Sequence, residues 1–324
     1  LTGSAKKLFS FLIKAGILVL AFVFIYHQYL QKGDSIQKFR ELVGNISRQK
    51  VILTLSLVVA LMVVNWVLES FKWRYLTRSL EKISVWAAIE AVFCGLTWAI
   101  FTPNRLGEYA GRVLFLPNRK RVYGVFAMAV GSFGQNVITN VVGLSALMWY
   151  LFTYYHLNTW IYVIVCVSCI NTIAFFLVMF FHIKWVVNLL DKIPYIKKFH
   201  RFFEIMGGYQ KSELIKIMGF SLARYAVFSF QYYLIIHLLI PDIPAFPMMM
   251  LVFVFFFIQS AIPSLDLLDI GVRSGAAAIL FVHVTDQALA IAAAVSSIWL
   301  INLIIPAILG SVFVFKLKFF DRNL

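Results

Sequence analysis

Only 13% of the 324 residues are charged, so charges that interrupt apolar runs are the ones with chemistry to do. Two short stretches concentrate them. The first reads Thr102-Pro103-Asn104-Arg105-Leu106-Gly107-Glu108, with Gly111 and Arg112 just beyond. The second reads Pro263-Ser264-Leu265-Asp266-Leu267-Leu268-Asp269-Ile270-Gly271, followed by Arg273. In each, proline ends one helix and a second helix begins within a few residues. The free N–H groups of a helix N-terminus attract anions. Arg105, Arg112 and Arg273 flank these starts, so the chemistry is anion binding, with a phosphate head group as the best guest. The structural alternative is that Thr102-Pro103, Asp266 and Asp269 only cap helices. Glu108 either pairs with Arg105 or Arg112 or carries a proton. Arg224, early in a later apolar run, faces the second break or reaches back to a membrane edge. Asn136 and Asn140 share a helix face and suit hydrogen bonding between helices, with cavity lining as the alternative. Glu90 and Gln259 are weaker lining candidates. The candidate binding set is Pro103, Asn104, Arg105, Gly107, Glu108, Arg112, Asn136, Arg224, Pro263, Asp266, Asp269, Gly271 and Arg273.

No catalytic constellation accompanies them. The sequence has no Walker A loop, HExxH or GxSxG, and no GxGxxG after a strand. Its six histidines are scattered. Cys166 and Cys169 have CxxC spacing without a histidine or a second pair, which suits buried small hydrophobes. No enzyme activity, cofactor, metal or nucleic-acid partner is expected; membrane lipids, and a second copy of the chain, are the expected partners. The formal net charge of +15 fits cytoplasmic loops rich in Lys and Arg and attraction to anionic head groups.

The elements that must position these residues are membrane helices. Hydrophobic residues make up 62% of the chain, and the mean hydropathy is +0.87. The apolar runs are continuous and long, unlike the roughly ten-residue alternating strands of a barrel. The fold class is an all-α polytopic membrane protein, a single transmembrane domain over residues 1–324, with about six spanning helices and two re-entrant hairpins. Spans are expected at 8–30, 50–68, 122–151, 160–183, 217–239 and 287–315. The run from Leu8 lacks a small-residue cleavage site and reads as a true first helix. Residues 31–49 are a polar connector outside, and 184–216 a basic cytoplasmic linker. Lys72, Arg74, Arg78 and Lys82 against Glu69 and Glu81 read as a membrane edge after the second span.

The runs 86–101 and 247–262 are too short to cross about 30 Å of hydrocarbon at about 1.5 Å per residue. Each pairs with a short second arm as a hairpin, the first entering from the cytoplasm and the second from outside. Residues 50–151 and 217–315 then form an inverted repeat, the pattern of transporters with a midplane site. The repeats share Gly107-x-x-x-Gly111 and Gly271-x-x-x-Gly275, a spacing that lets helices approach closely. Both termini are placed in the cytoplasm.

Pro103 to Glu108 with Arg112, and Pro263 through Ile270-Gly271-Val272-Arg273, resemble the motifs of the flippase-like transmembrane domain of lysylphosphatidylglycerol synthases. The resemblance covers nearly the whole chain and implies a free-standing member without the synthase domain, in a bacterial or archaeal cytoplasmic membrane. The family's first motif usually reads Pro-Gly-Gly-Leu-Gly-Glu; Asn104 and Arg105 replace the glycines. Its second usually ends Gly-Val-x-Glu; Ser274 takes the acidic place. The expected function is translocation of an anionic phospholipid or polyprenyl-phosphate-type lipid between leaflets. The alternatives are a proton-coupled transporter of a small anion and a non-transporting accessory subunit.

Overall fold

The computed structural model describes residues 44, 46–100, 102, 105–197, 199–261 and 270–314, and among them every regular element is helical. The expected first span, most of the connector after it, and Pro103, Asn104, Pro263, Asp266 and Asp269 lie outside the described residues.

The helices are α1 (Arg48–Thr77), α2 (Val85–Ala99), α3 (Leu106–Val113), α4 (Arg121–Tyr154), α5 (Thr159–Phe181), α6 (Ile183–Asp191), α7 (His200–Gly207), α8 (Lys211–Leu239), α9 (Ala245–Ala261), α10 (Ile270–Phe281) and α11 (Ala288–Val314). Five are long and apolar enough to cross a membrane: α1, α4 with its leading turn Asn118–Lys120, α5, α8 and α11. They fall on the five expected spans that lie within the described residues. α1 runs past Leu68 to Thr77, so its 30 residues reach about 45 Å. The expected membrane edge at Glu69–Lys72 is therefore still helix, and both side chains are buried.

α2 and α3 are short and antiparallel. Ser84 starts α2 by accepting a hydrogen bond from the Ala87 N–H at 3.0 Å. The arms touch through backbone: a Cβ on Gly111 would lie 2.6 Å from the Gly95 Cα. At the turn a Cβ on Gly107 would lie 2.5 Å from the Trp98 carbonyl carbon and 2.8 Å from Thr102 Oγ1. The other ends are drawn together by an ion pair from Lys120 to Glu81 at 2.6 Å. The second Gly-x-x-x-Gly behaves differently: Gly275 is exposed and a Cβ there meets nothing within 4 Å. That expected close approach is corrected, because no helix packs on that side of α10 among the described residues. Gly107→Ala is therefore expected to unfold the hairpin, since the obstacle is backbone that cannot rotate away. Gly275→Ala should be neutral or stabilising by up to about 1 kcal/mol. Thermal unfolding of both purified variants checks the contrast.

Packing crosses between the two halves. α1 lies on α8, α2 packs on the C-terminal part of α11, and α9 packs on α4. Thr97 Oγ1 of α2 donates to the Ala307 carbonyl of α11 at 2.8 Å. α11 widens into a π-turn at Leu300–Ile304 just before Pro306. Proline has no N–H and its ring crowds the carbonyl four residues back, here that of Asn302. The basic linker is helical: Ile183, Val187, Phe203 and Met206 of α6 and α7 are buried with Ala127 and Val130 of α4. Tyr209 fastens it by donating to the Leu76 carbonyl at 2.7 Å. Burial raises the Tyr209 hydroxyl above the usual tyrosine range, so it remains a donor.

Candidate functional site

The site begins with spacing. Asn65, Glu69 and Lys72 stand at i, i+4 and i+7 on α1 and so share one face. Glu108 and Arg112 stand at i and i+4 on α3. The two faces meet at Glu69. Its carboxylate takes Lys72 Nζ at 2.8 Å and Arg112 Nη1 at 2.5 Å, and also pairs with Arg224 Nη1 of α8. Glu108 pairs with Arg112 Nη2 and with Arg105 Nε, the latter at 3.0 Å. Arg112 thus bridges two carboxylates and is almost fully buried, with 1% of its surface exposed. Arg224 further donates to Asn65 Oδ1 at 3.1 Å and lies over the Trp66 ring, 5.2 Å from its centre.

Apart from Arg112, these groups line a cavity of about 480 Å³, within the usual ligand-pocket size. α4 adds Ser132, Gln135, Asn136 and Thr139, which share a face, and Ser132 accepts from the Tyr109 hydroxyl at 2.9 Å. α9 and α10 bring Gln259 and Arg273, and the π-turn of α11 brings Asn302. An apolar, aromatic part of the lining comes from Tyr225, Phe228 and Tyr232 of α8 with Phe256 of α9. Among the described residues of the cluster and wall, Lys72, Arg105, Arg112, Arg224 and Arg273 stand against Glu69 and Glu108. Five cations against two carboxylates favour a negatively charged guest. Five wall residues carry a buried polar atom with no hydrogen-bond partner among the described residues: Trp66 Nε1, Gln135 Oε1, Tyr225 OH, Gln259 Nε2 and Asn302 Oδ1. Such atoms are costly unless a guest or water meets them.

A family model for the lysylphosphatidylglycerol synthase TM region matches residues 10–310. The chain belongs to this family. No curated protein and no solved structure matches it. In this member of the lysylphosphatidylglycerol synthase TM-region family, Arg105 has φ 58° and ψ 27°, the one non-glycine positive φ among the described residues. It occupies a position where the family motif usually has glycine, the residue that adopts this conformation without strain.

Of the residues singled out in the sequence, Arg105, Glu108, Asn136, Arg224 and Arg273 line the cavity. Arg112 locks the cluster from behind, and Gly107 closes the hairpin turn. Gly271 lies in the first turn of α10. Glu90 is not part of the wall. Three expectations change. Arg224 does not reach for a membrane edge; Glu69 holds it inside. Asn140 Nδ2 donates to the Asn136 carbonyl of its own helix at 2.8 Å, not to another helix. The N–H of Gly107, the second residue of α3, is taken by Thr102 Oγ1 at 2.6 Å, so this donor of the helix start is not open to an anion, and the guanidinium groups stand beside it. Sequence reading missed Asn65, Glu69, Lys72, Tyr109 and Asn302 as site residues. The seven-residue rhythm of the first three and Pro306 four residues after Asn302 were the available signals.

Proposed function

We propose that this chain is a lipid translocase that moves an anionic phospholipid or polyprenyl-phosphate-type lipid between the leaflets of the cytoplasmic membrane. The observation that carries the reading is one cavity with two kinds of wall. A cation-rich polar part suits a phosphate head group, and the aromatic part suits the first carbons of a hydrocarbon chain. In this reading the α2–α3 hairpin is re-entrant, its turn held at membrane depth because protein and a polar cavity satisfy its backbone. The crossed packing supports an inverted repeat: the short helix of each half rests on the long helix of the other, and the first long helices, α1 and α8, lie together. The basic stretches at 74–82, 119–121 and 184–216 support a cytoplasmic side for those ends. No covalent bond is made or broken.

The test is leaflet exchange in proteoliposomes of fluorescent anionic, zwitterionic and polyprenyl-phosphate lipids, with Arg273→Gln alongside. Exchange of the anionic lipids above empty liposomes is expected, reduced roughly tenfold by the substitution, as for loss of a charge-assisted hydrogen bond. No exchange by folded protein would overturn the reading. Uptake of a soluble anion without lipid exchange would replace it with the small-anion transporter, and neither activity with the accessory subunit.

A further inference from the structure

α5 is the least covered of the long apolar helices: 11% of its most apolar window is buried, against 22% or more in the others. Cys169 and Phe180 are its buried side chains. Most of the rest faces outward, as on any helix against lipid, with one exception in kind. Ser168 and Asn171 are exposed side by side, one turn apart. Asn171 lies twelve residues after Thr159 and ten before Phe181, so about 18 Å and 15 Å from the helix ends, at the middle of the hydrocarbon. Its amide has no hydrogen-bond partner among the described residues. Thr172, beside it, is satisfied locally, donating to the Ser168 carbonyl at 2.8 Å. Around the amide, Val163, Ile164, Val167 and Phe175 border an open groove of about 610 Å³.

A primary amide left in hydrocarbon costs several kcal/mol. Something must therefore cover this face with a matching donor and acceptor at the same depth. The chain's own first apolar run is a poor match: its middle, Ala15–Ile25, carries no hydrogen-bonding side chain. A second copy of α5 fits. A carboxamide is both donor and acceptor, so two copies of Asn171 facing each other across a two-fold axis satisfy one another. Ser168 adds a small, polar step that lets the helices approach.

We propose that the Ser168–Asn171 face of α5 is the seam of a homodimer, closed by a pair of Asn171 amides at mid-membrane. The proposal uses no part of the cavity and stands or falls apart from the translocase reading.

Single-molecule photobleaching of labelled protein in dilute liposomes reads the dimer fraction. The unsubstituted protein is expected to dimerise, and Asn171→Leu, which keeps α5 apolar, to weaken the dimer roughly three- to thirtyfold. Photo-crosslinkers at Val167 and at Ile279, on the exposed side of α10, locate the seam: Val167 should capture a second copy and Ile279 should not. A monomer at all densities, a dimer indifferent to Asn171→Leu, or capture of residues 8–30 of the same chain by Val167 would each overturn the proposal.

Discussion

Exchanging Arg105 for glycine is expected to leave the protein at least as stable as before while removing most of its transport of anionic lipid. Arg105 opens α3 with a left-handed backbone. For a residue with a Cβ that conformation costs about 1–2 kcal/mol. Arg105 pairs with Glu108, and Glu108 keeps Arg112 when Arg105 is gone. The Arg105 side chain is 37% exposed on the cavity wall, so its bond to Glu108 is a weak one. Backbone strain of this kind clusters at functional sites, and here it sits under a guanidinium at the mouth of the hairpin.

The comparison that isolates strain is Arg105→Gly against Arg105→Ala, since both remove the cation. Alanine normally exceeds glycine in stability by up to about 1 kcal/mol at a helical position. At position 105 the order should invert, with glycine ahead by about 1 kcal/mol, roughly 2 °C in thermal midpoint. Both variants should lose roughly tenfold to a hundredfold in the rate of anionic lipid exchange, the value of one charge-assisted hydrogen bond. A glycine variant that melts well below the unsubstituted protein would make Arg105 a structural residue. Unchanged exchange in both would remove it from the lipid path.

The same position shows what the sequence could and could not tell. The break between α2 and α3 was legible because it is local: an apolar run too short to cross, then Thr102, Pro103 and Gly107. The long helices were legible for the same reason, since hydropathy is summed along the chain. Glu69 and Lys72 were not. Next to Arg74, Arg78 and Lys82 they look like the polar rim of a span, and only residues 40 to 155 positions away, Arg112 and Arg224, show that they are buried. Gly107-x-x-x-Gly111 and Gly271-x-x-x-Gly275 are alike on paper, but Gly107 and Gly111 have backbone against them while Gly275 meets nothing within 4 Å. A motif states that close approach is allowed; the partner helix decides whether it happens. Asn302 was hidden because it reaches the cavity from a π-turn inside a long apolar helix, where hydropathy shows only a continuous span.

Glu69→Gln is the substitution expected to damage the protein most. Glu69 is 5% exposed and holds Lys72, Arg112 and Arg224, joining α1, α3 and α8 at one carboxylate. Glutamine keeps the shape and removes the charge. Three cations would then share a buried space in which Glu108 is the remaining carboxylate among the described residues of the cluster. Removing one partner of a buried ion pair costs about 3–5 kcal/mol, a large part of the stability of an ordinary domain. Loss of folded yield is expected, read by size-exclusion profile and thermal unfolding. The decisive variant is the double substitution Glu69→Gln with Lys72→Met, which removes a cation along with the anion. If charge balance is the cause, the double variant will be more stable than Glu69→Gln alone, a coupling that two independent losses would not give. If shape and hydrogen bonding are the cause, the two effects will add. Native-like unfolding of Glu69→Gln by itself would mean that the three cations are held by something other than Glu69.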